Sequence, residues 1–124
     1  MIYLDTHVVV WLYLGDLSNF SPAAKHALNA HDLKISPMVA LELTYLQEIE
    51  RVRAAAKVML EYLIDRIGLQ FCDLPFDHVI DSAMKQTWTR DPFDRIIVGQ
   101  AAVQHCELLT KDEVIRANYA YTIW

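Results

Sequence analysis

Ile2, Tyr3 and Leu4 form a short β-rich run that meets Asp5 and Thr6 before a seven-residue apolar block at positions 8–14. This reads as a strand over 2–5 followed by a helix with Thr6 as its N-cap. Ser21-Pro22 and Ser36-Pro37 repeat one signal, a capping hydroxyl ahead of the residue best suited to the first helical position, and each opens a helix. Residues 33–36 lie between those helices as a second short strand. After Ser36 the apolar positions Met38, Val39, Leu41, Tyr45, Leu46 and Ile49 recur at three- and four-residue spacing. A helix over 53–66 stopped by Gly68, a strand over 69–74 ended by Pro75 and a helix over 77–87 follow. Asp91-Pro92-Phe93-Asp94 combines an N-cap, a first-position proline and a third-position acid, as in an acidic capping box, and starts a helix to about residue 105. A strand at 107–110, a short helix at 112–117 and a last strand at 121–123 complete the pattern.

Strands that alternate with helices pair in parallel through helical crossovers, and such a sheet is covered on both faces. The expected fold is α/β with three layers, α/β/α, around a short parallel sheet of about five strands. No linker, repeat or low-complexity segment interrupts it, so residues 1–124 are expected to form a single domain. A composition 54% hydrophobic and 22% charged suits a packed core. The longest apolar run is far shorter than the roughly 20 residues of a bilayer span. No basic leader precedes Asp5, and a cytoplasmic protein without membrane attachment is expected.

Several chemistries are excluded. Gly15, Gly68 and Gly99 are too far apart for a phosphate-binding loop or a dinucleotide turn. Cys72 and Cys106 lack zinc-ligand spacing and read as small hydrophobes, and the five histidines form no HExxH motif. An aspartyl-phosphate mechanism on a DxD pair would need an acid where His7 stands. The net charge of -5 argues against a simple basic nucleic-acid-binding module.

The acids themselves change that picture. In open parallel sheets ligands bind beyond the carboxyl ends of the strands, and there Asp5 ends the first strand while Asp112 follows the strand closing at Thr110. Asp94 lies in the first turn of the helix leading into that strand. Glu42 has Met38, Val39, Tyr45 and Leu46 as its helical neighbours, which points it toward the core, where an ionised carboxylate needs a cation or donors. Carboxylates that converge repel one another until something positive neutralises them, and hard oxygen ligands select Mg²⁺ or Mn²⁺. One such ion, or a pair about 4 Å apart, can position a water, lower its pKa and stabilise charge on a phosphodiester. Setting four of the 16 acids aside leaves 12 against 11 basic residues, so an RNA substrate is no longer excluded. Arg90, Arg95 and Lys111 adjoin the site acids and can hold flanking phosphates, with Asp91 as a further capping acid. Two other readings stand beside this one. The apolar excess, with Trp11 and Trp88, suits a non-enzymatic partner-binding module, and the same carboxylates suit a phosphatase or DNA nuclease.

The segments from Ile2 to Leu12, from Ser36 to Leu43, from Arg90 to Ala101 and from Leu108 to Asp112 together resemble the PIN-domain ribonucleases, above all the VapC-type toxins of prokaryotic toxin-antitoxin pairs. The four blocks run in the family's order and spacing, and the terminal Tyr121-Thr122-Ile123-Trp124 is similar too. The resemblance implies a Mg²⁺- or Mn²⁺-dependent endoribonuclease, homodimeric, and inhibited by a cognate antitoxin that inserts a segment into the active-site groove. It implies Asp5, Glu42, Asp94 and Asp112 as metal ligands, with Thr6, Ser36 and Thr110 as hydroxyl positions beside them.

Overall fold

In the computed structural model, which describes residues 1–124, the apolar run that opens the chain is the central strand, β1 (Ile2–Leu4), and all three residues are buried. It leads into α1 (Thr6–Leu14), a 3-10 turn (Leu17–Asn19), α2 (Pro22–Ala30), β2 (Leu33–Ile35), α3 (Pro37–Glu48) and α4 (Ala56–Ile67). The chain continues through β3 (Gln70–Phe71), α5 (Phe76–Met84), α6 (Pro92–Ala102), β4 (Leu108–Leu109), α7 (Glu113–Asn118) and β5 (Thr122–Ile123). The five strands form one sheet in the order β3-β2-β1-β4-β5, and every pairing is parallel. Parallel neighbours need a crossover instead of a tight turn, and here helices provide it, giving the expected α/β architecture.

This winding order positions the site. From β1 the chain steps outward through β2 to β3, then crosses back to β4 and β5 on the other side. All carboxyl ends therefore share one edge, and the winding reverses between β1 and β4, where open sheets leave a crevice. Tyr3 pairs with Leu108 and Leu4 with Leu109, so Asp5 and Thr110 emerge side by side. Ile2, Leu4, Ile35, Leu108 and Leu109 are almost wholly buried. A sheet covered on both faces explains why its strands read as unbroken apolar runs without alternation. α5 and α6 pack closely: a Cβ at Gly99 would lie 2.8 Å from the Ala83 backbone.

Several elements differ from the sequence reading at their ends. Thr6 is the first residue of α1 and Asp5 is its N-cap. The expected strand over 69–74 contracts to Gln70–Phe71, because β3 is an edge strand whose only partner, β2, turns into α3 after Ile35. The helix expected over 77–87 ends at Met84, where the Lys85 and Gln86 amides donate to Ser82 and Ala83, bonds of tighter three-residue spacing. Gly68 closes α4 at φ 69°, a left-handed conformation that a residue without Cβ adopts freely. Cys72 is buried and its Sγ accepts a hydrogen bond from the Tyr3 hydroxyl, while Cys106 is half-buried. No helix is long and apolar enough to cross a membrane.

Candidate active site

Because β1 turns directly into α1, Asp5 is both the end of a strand and the cap of a helix. Its Oδ1 accepts from the Thr6 amide at 2.8 Å and its Oδ2 from the Thr110 hydroxyl at 2.7 Å. Thr110 Oγ1 also accepts from the Asp112 amide at 3.1 Å, so one hydroxyl joins the ends of neighbouring strands. Asp5 is only 7% exposed. Burial raises its pKa, the Thr110 and Thr6 hydrogen bonds and His7 oppose that rise, and Asp112 adds to it.

Asp112 caps α7 through one oxygen, Oδ1, which accepts from the Val114 and Ile115 amides at 2.9 and 3.0 Å. Asp91 caps α6 in the same way, accepting from the Phe93 amide at 2.8 Å. The reciprocal half of the expected capping box is not made. The Asp91 amide donates to Thr89 Oγ1 at 3.1 Å, and the Asp94 carboxylate has no hydrogen-bond partner. Burial raises the Asp94 pKa to about 7, with Asp91, Asp5, Glu42 and Asp112 contributing in that order.

Glu42 sits at the rim of the core and does not point into it. Val39 and Leu43 form the buried stripe of α3, Leu41 and Tyr45 are exposed, and Glu42 lies half-buried at the edge of that stripe. Apolar neighbours at helical spacing therefore misled the sequence reading, since Tyr45 packs on Phe93 at the surface and leaves the interior to Val39 and Leu43. Burial raises the Glu42 pKa first, the Thr6 hydroxyl opposes it, and Asp5 and Asp91 add to it. Ser36 is buried and caps α3 by accepting from the Met38 amide at 3.1 Å, which fixes the helix that carries Glu42.

No Lys or Arg neutralises these acids. The one salt bridge in the molecule joins Lys57 and Glu61 on the exposed face of α4. Arg95 donates to the Thr89 carbonyl at 2.8 Å and Arg90 to the Thr87 carbonyl at 2.9 Å, so both brace the turn before α6. Lys111 extends over the Trp11 ring, 5.8 Å from its centroid. The donor chemistry fits a hard divalent cation. All the candidate ligands are oxygens, burial and mutual repulsion hold three of the carboxyls above their ordinary range, and the buried Thr6 hydroxyl, near Glu42, makes no hydrogen bond of ordinary length. As the side chains stand, no three acidic, His or Cys groups are drawn together tightly enough to enclose an ion. The acids influence one another through charge.

Asp5 and Asp112 open into a cleft of about 360 Å³ whose other walls are His7, Val8, Trp11, Lys111 and Glu113. Sequence reasoning did not single out Glu113 and gave Trp11 to a partner surface. The signals that place them are helical: Trp11 follows His7 by one turn of α1, and Glu113 opens α7 directly after Asp112.

Residues 2–120 match the PIN domain family. The chain belongs to it. Among curated relatives, this PIN domain is 28% identical over 129 residues to "Ribonuclease VapC22" of Mycobacterium tuberculosis, covering 99% of this chain and 98% of that one. Its fold is similar to a chain of a VapBC2 structure from Rickettsia felis bound to a promoter DNA fragment, with TM-score 0.61, 16% identity, and 95% and 93% of the two chains covered. It is also similar to a chain of a toxin-antitoxin complex from Klebsiella pneumoniae, with TM-score 0.63, 17% identity, and 100% and 97% covered.

Proposed function

We propose that this PIN domain is an endoribonuclease dependent on Mg²⁺ or Mn²⁺, and that it is the toxin of a VapBC-type pair. The observation that carries the reading is the group of carboxylates at the switch point of the sheet, three of them with raised pKa and none paired with a basic side chain. Asp5, Glu42, Asp94 and Asp112 would hold one or two ions. When bound, such an ion polarises water and stabilises the charge that develops on a phosphodiester.

The chain's own groups prepare that chemistry. Thr110 and the Thr6 amide hold the two oxygens of Asp5 in fixed directions, so its carboxylate loses little freedom on binding a cation. Caps on α1, α6 and α7 aim helix N-termini at the same edge, where their partial positive charge favours the ionised acids. Asp94 holds a proton on its carboxyl below about pH 7 and would have to release it to serve as a ligand. Lys111, Arg90 and Arg95 are proposed to take flanking phosphates, with the Arg guanidinium groups also bracing the 87–89 turn. The cognate antitoxin and a second copy of the chain are the proposed protein partners. The likeness to VapC-type toxins supports both, and the toxin-antitoxin complexes among the similar structures support the antitoxin.

The test is cleavage of mixed single-stranded RNA in Mn²⁺, with EDTA and Asp94→Asn in parallel. The reading expects cutting that both controls abolish. Cutting that survives EDTA, or that Asp94→Asn performs at the wild-type rate, would overturn it.

A further inference from the structure

The cleft beside Asp5 has one wall of a different kind. Trp11 and His7 lie on one face of α1, their rings 6.1 Å apart and inclined at 45°, and both border the cleft. Behind Trp11 stand Trp124, 5.9 Å away, and Phe20, set edge-on at 6.1 Å, so the indole is braced on its inner side. Trp11 is half-buried and His7 exposed, leaving the outer aromatic surface open to the cleft. Lys111 hangs over that surface from the loop that also carries Asp112.

We infer that this wall is a stacking slot for one unpaired nucleobase next to the scissile phosphate, with Trp11 as the platform and His7 as the flanking ring. The inference rests on the ribonuclease reading. Stacking on a rigid aromatic face is the sequence-tolerant way proteins hold single-stranded RNA, since every base offers a π-face. The roughly 360 Å³ of the cleft lies at the small end of ligand pockets, which suits one nucleotide and not a duplex. Lys111 serves both states: it covers the indole when no base is present, and its flexible arm carries the charge to the backbone phosphate when the base takes that face. Trp11 and His7 are thus positioning residues, which set where along the strand the chain is cut.

Abasic scanning combined with substitution tests this. A short single-stranded RNA that the protein cuts in Mn²⁺ is resynthesised with each base near the cut removed in turn. Wild-type protein is expected to show one position where base removal raises KM about tenfold with kcat little changed. In Trp11→Leu the intact RNA should show that same rise, and removing the base should cost nothing further. Trp11→Phe, which keeps a flat ring, should recover most of the loss. His7→Ala should shrink the abasic penalty severalfold, and because His7 is exposed this variant tests the slot even if Trp11→Leu fails to fold. An abasic penalty of undiminished size in Trp11→Leu or in His7→Ala would overturn the slot while leaving the nuclease intact. Absence of any Mn²⁺-dependent cutting by wild-type protein would overturn both.

Discussion

At the residue scale, the site depends on hydroxyls as much as on acids. Thr110 donates to Asp5 and accepts from the Asp112 amide, so Thr110→Val, which keeps the shape, leaves the buried Asp5 Oδ2 and the part-buried Asp112 amide without that partner. The expected cost is about 1–3 kcal/mol of stability by denaturant melts. A loss of roughly 10- to 100-fold in Mn²⁺-dependent cleavage should accompany it, since ligand-orienting hydrogen bonds carry effects of that size. Asp94 makes the electrostatic prediction. Its pKa is raised from 3.8 to about 7 in the folded protein, so between those values the metal-free fold keeps a proton that the unfolded chain has released. Stability from this group is full below about pH 4 and is lost as pH rises through 7. Asp94→Asn should therefore raise the metal-free melting temperature at pH 8 by roughly 3–5 °C, or about 1 kcal/mol once solvent screening of a partly exposed carboxyl is allowed for. It should also flatten the pH slope, with Asp5 and Glu42 retaining a remainder. A melting temperature at pH 8 that is unchanged or lowered would show that burial and neighbouring charge impose no such cost on ionised Asp94. Among the candidate acids, Asp5, Asp94 and Asp112 were singled out in the sequence because they stand at strand ends and in a helix's first turn, and Glu42 because its helical neighbours are apolar. The direction of Glu42 was not readable, because spacing alone does not say which apolar neighbour takes the interior.

At the element scale, α5 and α6 touch where Gly99 meets Ala83. An added Cβ would lie 2.8 Å from Ala83 backbone atoms, so the helices must part before it fits. Gly99→Ala is expected to destabilise by about 1–3 kcal/mol, as overpacking does. Intrinsic helix propensity alone predicts the opposite sign, a gain of about 1 kcal/mol, so a denaturant melt separates the two accounts. Caps and prolines marked the starts of α2, α3 and α6 in the sequence, because each hydroxyl or carboxylate satisfies an amide that the helix leaves open. Strand ends were less readable. The length of β3 is set by its neighbour β2 and not by its own residues, and no local pattern carries that information.

At the scale of the whole molecule, the winding reversal between β1 and β4 brings separate local signals to one edge of the sheet. Asp5 and Thr110 lie 105 residues apart in sequence and share a hydrogen bond because the strands before them are paired. The α/β class followed from the alternation of elements, but the strand order that makes Asp5 the centre of the group is a tertiary property. The central claim is that these carboxylates form one divalent-cation site. Calorimetric titration of Mn²⁺ into RNA-free protein at pH 7.5 and pH 6, with Asp5→Asn alongside, tests it most directly. Saturable binding is predicted for wild-type protein, weaker at pH 6 because Asp94 must first give up its proton, and at least about tenfold weaker in Asp5→Asn. Undetectable binding by wild-type protein, or wild-type affinity in Asp5→Asn, would contradict it.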